Sequence, residues 1–152
     1  MADPSAWTTS TCNFILEVDG VEIGTFNEVD GLTVEVESFD LEEGGQNHFA
    51  HHFPGRFSWP NLVLKRGIVN GDGLFDWLSK SSGEGFEGNG SKVERSTGAV
   101  TLVSELGERL RSWSFEGAFP VRWNGPTFVS GSNDSPSEEL EIAHHGFRAT
   151  TL

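Results

Sequence analysis

The sequence is poor in three things, and each shortage closes off a class of function. It has 1 cysteine among its 152 residues, so it can form neither an internal disulfide nor a multi-cysteine zinc site. It has little positive charge: 10 Lys and Arg stand against 23 Asp and Glu, for a net charge of −13. Gripping nucleic acid by its phosphates needs clustered cations, and docking on anionic lipid needs the same. Specific nucleic-acid binding and membrane anchoring by this chain are therefore not expected. It also lacks any apolar run near the roughly 20 residues of a membrane helix. Its start, Met1-Ala2-Asp3-Pro4-Ser5, has no basic segment followed by an apolar stretch, so no export signal is expected.

What the chain does have is 12 Phe, 5 Trp and 19 Gly. Large aromatics bury much area each and can build a core from few residues. Glycines and prolines spread along the chain punctuate it into short strands. Residues 1–12 show no periodicity and read as a flexible arm before a single domain over 13–152. Phe14, Leu16 and Val18 alternate with Ile15, Glu17 and Asp19; Asp19-Gly20 follows, then Val21, Ile23 and Thr25. An Asp-Gly pair between two period-two runs predicts a hairpin over 13–26. After Asp30-Gly31, Leu32, Val34 and Val36 form an apolar face, with Thr33, Glu35 and Glu37 on the other. That pattern predicts a strand between a core and a wet surface.

Residues 40–57 break the alternation and read as a long excursion, aromatic from His48 to Gly55, of the kind that meets a partner. Asn61–Lys65 reads as a strand. Leu74, Trp77 and Leu78 form one stripe of a short helix over 73–79, followed by a Gly/Ser-rich loop to Lys92. Strands follow over 93–103 and around Leu110, Trp113 and Phe115, then a bend, Phe119 to Trp123, and a turn at Asn124-Gly125-Pro126. Those four aromatics read chiefly as core. The final strand is expected over Glu138–His145. The whole is mainly β, an antiparallel barrel or sandwich with one short flanking helix.

Chemistry finds little support. His48, His51 and His52 have the spacing His-x-x-His-His, not the His-x-His that puts two ligands on one strand face. His144 and His145 would point to opposite faces. Cys12 has no basic neighbour to activate it, and no Gly-x-Ser-x-Gly elbow is present. The glycine run 83–90 carries two acids and no following Lys-Ser/Thr, so it is no phosphate cradle. No catalytic residue, metal ligand or cofactor is assigned. A metal-dependent β-barrel enzyme, suggested by five histidines, and a carbohydrate-binding β-sandwich, suggested by five tryptophans, are the alternatives.

An ordered series of motifs points elsewhere. Phe14-x-x-x-Val18-Asp19-Gly20 precedes Gly24-x-Phe26-x-Glu28-Val29-x-Gly31-Leu32. Then come Glu43-Gly44-Gly45-x-Asn47, Pro54-Gly55, Asn61-Leu62-x-Leu64-Lys65-Arg66-Gly67 and Leu74-x-x-Trp77. Trp113-x-Phe115, Ala118-x-Pro120-Val121-x-Trp123-x-Gly125-Pro126 and Glu139-Leu140-Glu141-Ile142-x-His144-x-Gly146 complete it. Over residues 13–147 the chain resembles the inner tube proteins of contractile injection systems, the family of contractile phage tail tubes and phage-tail-like particles. The resemblance implies a structural, non-enzymatic, self-assembling subunit of the tail-tube β-barrel type. Hexameric rings of it stack into a hollow tube, made in the cytoplasm and part of a released or anchored particle. A contractile sheath surrounds the tube, a baseplate and spike terminate it, and effector cargo travels in or on it. Contraction drives the tube through a target envelope. The excursion is the expected contact between copies, through Glu43, Gly44, Gly45, Gln46, Asn47, Phe49, Phe53, Pro54 and Gly55. The turn Asn124, Gly125 and Pro126 is a second contact. Because like charges oppose association, the acids should line wet surfaces, the bore and outer wall, with Thr33, Glu35 and Glu37 as the expected wet face.

Overall fold

In a computed structural model of the protein, the described residues are 12–41, 51–67, 72–81, 95–131, 133 and 135–152. The Asp-Gly hairpin forms as its sequence requires. β1 (Asn13–Val18) and β2 (Val21–Phe26) pair antiparallel. Asp19 and Gly20 take φ of 51° and 79°, the two positive angles that match the twist of a tight hairpin. Asp19 also ties the turn to the next strand, since its N–H donates to Thr97 O at 2.8 Å and its carboxylate accepts from Thr97 N at 3.1 Å.

The remaining elements are β3 (Glu28–Asp30), β4 (Glu35–Leu41), β5 (His51–Ser58), β6 (Leu62–Gly67), α1 (Gly73–Ser81), β7 (Ser96–Val103), β8 (Arg109–Asn124), β9 (Ser137–Ala143) and β10 (Phe147–Thr151). Eight of the strands share one sheet, in the order β2-β1-β7-β8-β9-β6-β3, with β10 on β8. The 16-residue β8 is the shared wall. Its first half pairs with β7 and β10. Its second half, beyond Gly117 (φ 63°), pairs with β9. The two ends of the series, β2 and β3, are joined by Asn27 alone, whose N–H donates to Lys65 O at 3.0 Å. The sheet therefore curls back on itself as a barrel.

Alternation puts one face of each strand inside. Leu62, Leu64 and Arg66 of β6 are buried, as are Glu138, Leu140 and Ile142 of β9. Leu16, Phe26, Val100, Phe115 and Ala118 join them, and α1 adds Leu74 and Trp77. The core holds one ion pair. Arg66, 5% exposed, lies opposite Glu138, 8% exposed, and its Nε donates to Glu138 Oε1. Trp123 Nε1 donates to the other carboxylate oxygen at 3.2 Å, and the guanidinium lies 4.8 Å from the centre of the Phe26 ring. Each polar atom taken from water thus has a partner, as burial demands.

Five expectations differ from the structure. Residues 31–34 are not strand; β4 begins at Glu35 and, among the described residues, pairs only with β5, outside the barrel sheet. Val34 and Val36 consequently cover no core and are exposed. Residues 51–58 of the expected excursion are strand β5, with Pro54 opposite Ser38; an isolated two-stranded ribbon has free edges that accept proline. The final strand of the sheet region ends at Ala143, and a further strand, β10, follows it. Of Trp113, Phe115, Phe119 and Trp123, only Phe115 is fully buried. The helix runs to Ser81. The arm expected over 1–12 lies outside the described residues except for Cys12, which is half-buried.

Candidate assembly surfaces

The β4–β5 ribbon gathers several exposed apolar side chains. Its register runs Glu35 with Ser58, Val36 with Phe57, Ser38 with Pro54, Phe39 with Phe53 and Asp40 with His52. Between Val36 and Ser38 a bulge sets two residues of β5, Gly55 and Arg56, against Glu37 alone. Paired residues share a face and neighbours alternate. One face therefore carries Val36, Ser38, Asp40, Phe57, Pro54 and His52. The other carries Glu35, Glu37, Phe39, Phe53 and Gly55. The ribbon's aromatic side chains are open to solvent: Phe39 is 59% exposed, Phe53 49% and Phe57 66%.

Gly55 has a local reason. A Cβ built there would lie 2.5 Å from Phe39 Cε2 and 3.0 Å from Glu37 Cβ, so the Phe39 ring rests on the glycine backbone. His52 Nδ1 and Asp40 Oδ1 form an exposed pair on the opposite face. At the base, Phe57 stacks on Trp59 at 6.4 Å, and Trp59 meets Phe147 edge-on at 5.1 Å. His144 finishes the anchor. Gly146 N–H donates to its Nδ1 at 3.1 Å, which leaves Nε2 to donate to Pro60 O at 3.0 Å. This buried histidine is a structural brace.

The expected contact residues divide accordingly. Phe53, Pro54 and Gly55 stand in β5. Glu43, Gly44, Gly45, Gln46, Asn47 and Phe49, like His48, lie outside the described residues. Thr33 is exposed just before β4, and Glu35 and Glu37 are exposed within it. Thr33, Glu35 and Glu37 form an exposed row, which Phe39 and Phe53 continue with apolar side chains.

The Asn124-Gly125-Pro126 turn closes β8. A Cβ at Gly125 would lie 2.8 Å from Trp123 Cη2, so the turn folds onto the Trp123 ring, against which Phe75 of α1 packs edge-on at 4.9 Å. Beyond it Phe128 and Val129 are 73% and 66% exposed. They line a broad groove of about 880 Å³ with Asn124, Pro136 and Glu139. Among the described residues no group of three or more His, Cys, Asp and Glu side chains could hold a metal ion. No helix among them is long and apolar enough to cross a membrane.

The barrel thus carries exposed apolar projections at the ribbon and at Phe128 and Val129. Residues 10–148 match the model of the T4-like virus tail tube protein gp19 family, and the chain belongs to that family. It is a structural subunit of a tail tube, not an enzyme. The fold is similar to a chain in the sheath–tube complex of an extracellular contractile injection system, PVC, in its extended state: TM-score 0.75 and 24% identity, covering 100% of both chains. A chain in the sheath/tube terminator of PVC matches at TM-score 0.72 and 27% identity, over 91% of this chain and 93% of that one. Hcp1 from Flavobacterium johnsoniae is more distant, at TM-score 0.52 and 15% identity over 92% and 96% of the two chains. No curated protein sequence matches.

Proposed function

We propose that copies of this chain form stacked hexameric rings, the inner tube of a contractile injection system, inside a contractile sheath and above a baseplate. Contraction then drives the tube through a target envelope with effector cargo in its lumen. The cytoplasm is the place of synthesis, residues 13–152 are the tube domain, and residues 1–12 are an arm. Neighbours solved as sheath–tube and baseplate assemblies support this reading.

The observation that carries it is the ribbon. A folded monomer does not normally leave Val34, Val36, Phe39, Phe53 and Phe57 exposed together, because exposed apolar patches mark interaction surfaces. The contact set is the ribbon with its connecting segment 43–49, and the turn at Asn124, Gly125 and Pro126. β10 adds a sheet edge that pairs only with β8 among the described residues, and a free edge is a template for a neighbouring strand. Glu35, Glu37 and Thr33 keep to a wet surface, the bore or outer wall.

Electron microscopy of the concentrated purified protein tests this. Rings or tubes of even bore are expected. A protein that stays monomeric by analytical ultracentrifugation at every concentration and salt overturns the reading.

A further inference from the structure

Asn124 is the one described asparagine that is followed by glycine; Asn13, Asn27, Asn61 and Asn133 precede Phe14, Glu28, Leu62 and Asp134. It is the last residue of β8 and is exposed, as is Gly125. Its backbone is fixed opposite Glu139 of β9. The strand pairing stops there, and the Gly125 N–H makes no hydrogen bond with any described residue. The side chain is held from the other direction. Arg122, two residues back on the same face of the strand, donates from Nε to Asn124 Oδ1 at 3.4 Å. The turn also requires its glycine, because a Cβ at Gly125 would press on Trp123 Cη2 at 2.8 Å.

We infer that Asn124 is a self-modification site, at which the folded chain converts its own asparagine to aspartate and isoaspartate with water as the only co-reactant. The Gly125 nitrogen gives up its proton and bonds to Asn124 Cγ. The Cγ–Nδ2 bond breaks, and the nitrogen leaves as ammonia, carrying that proton. The five-membered imide left behind takes up one water at either carbonyl. Opening at one gives aspartate; opening at the other gives isoaspartate, in which the backbone runs through Cγ. Three features of the site favour this. The attacking nitrogen is free of hydrogen bonds. Glycine has no Cβ to obstruct the approach and bends readily towards it. The Arg122 guanidinium lies where negative charge develops on Oδ1 during the attack, the arrangement that stabilises an oxyanion. Each converted copy gains one negative charge beyond its net −13, in a stretch, 124–131, that carries no charged side chain. The new carboxylate stands opposite Glu139, and like charges placed so weaken a strand pair. The chemistry is independent of what the chain assembles into.

The test uses the dilute full chain, held at neutral pH and physiological temperature, then cut with trypsin and read by tandem mass spectrometry. Cleavage after Arg66, Lys80 and Arg122 puts Asn70-Gly71, Asn89-Gly90 and Asn124-Gly125 in separate peptides. The peptide Trp123–Arg148 should gain one mass unit with time and split into two chromatographic forms. Its fragments should place the change at Asn124 and not at Asn133. Asn13, Asn27 and Asn61 should lag behind. Ion exchange of the intact protein should show a species one charge more negative. The same chain unfolded in urea supplies the rate without the fold, and the folded chain should convert at a comparable rate. In Asn124→Gln, whose longer side chain closes the ring far more slowly, the change in this peptide should be lost. The inference is overturned if Asn124 stays intact in the folded chain while it converts in urea, if Asn13, Asn27 or Asn61 converts as fast, or if the peptide of Asn124→Gln changes like the wild type.

Discussion

Replacing Glu138 with leucine is the sharpest test of the packing. The substitution leaves the Arg66 guanidinium in the barrel core, 5% exposed, with no counter-charge. It also removes the acceptor of Trp123 Nε1, now 3.2 Å away. Breaking a buried pair from one side costs about 3–5 kcal/mol, a large share of the roughly 5–15 kcal/mol that holds a domain together. At about 2–4 °C per kcal/mol for a domain of this size, the midpoint should fall by roughly 6–20 °C. The double variant Arg66→Met/Glu138→Leu removes both charges and fills the space. It should return to within about 1 kcal/mol of the parent, since well-packed apolar residues replace buried pairs at little cost. Trp123 is half-buried, so water can reach its N–H in the double variant. Urea unfolding measures both, in the Phe39→Ser/Phe53→Ser background, so that stabilisation by assembly does not mask the change. A single variant losing less than about 1 kcal/mol, or a double variant as unstable as the single, would refute the assignment of the pair as a closed unit.

Other outcomes follow from single positions. Gly31→Ala should destabilise by about 2 kcal/mol or more in urea unfolding, because Gly31 has φ of 89° and a Cβ there would lie 2.1 Å from Asn61 O. Leu140→Ala should cost about 2–5 kcal/mol by the same assay, as Leu140 is fully buried. Gly55→Val should leave the melting curve unchanged, since the ribbon lies outside the barrel sheet, but displace the Phe39 ring and weaken stacking seen by electron microscopy. Assembly followed by light scattering should start at lower protein concentration as salt rises from 0.05 to about 0.5 M, because screening shortens the range of repulsion between chains of charge −13.

The parts of the fold that were legible are those where local chemistry and burial agree. Asp19-Gly20 announces its own turn angles, and Leu62, Leu64, Leu140 and Ile142 alternate because one side of β6 and of β9 is core. The helix was legible from Leu74 and Trp77, the two residues it buries. The ribbon was not legible, because strands that cover no core have no buried face to impose alternation. Phe53-Pro54-Gly55 reads as a loop, and only the pairing with β4 makes it strand. Residues 147–151 escaped for a related reason: most of β10 is exposed, and its place is set by β8 rather than by its own pattern. Of the expected contacts, composition located the excursion but not its geometry. Alternation along β4 sets Phe39 with Glu35 and Glu37, but the bulge at Gly55-Arg56 puts Phe53 on that face and Phe57 on the other, which the pattern of β5 alone does not reveal. The Phe128-Val129 pair gives no pattern in the sequence because it sits in a stretch with no periodicity. Exposure, visible only in the folded chain, is its signal.

That failure of pattern at the ribbon and at residues 127–129 is itself informative. Sequences are locally consistent where the folded chain alone determines the structure, and depart from consistency at functional sites. In this chain two of the departures, the ribbon and residues 127–129, fall at the ends of β3, β6 and β9, while β10 lies along β8. The charge behaves the same way. Of the described acids only Glu138 is buried, and Arg66 compensates it. The rest keep water, so each copy repels the next wherever acids meet. A contact that overcomes this repulsion must concentrate apolar area on segments with few acids. Residues 124–131 carry no charged side chain at all. The outer part of β5, His52 to Ser58, carries no acid and one arginine. Contact between copies would meet least repulsion at these two stretches, although β4, which pairs with β5, carries Glu35, Glu37 and Asp40.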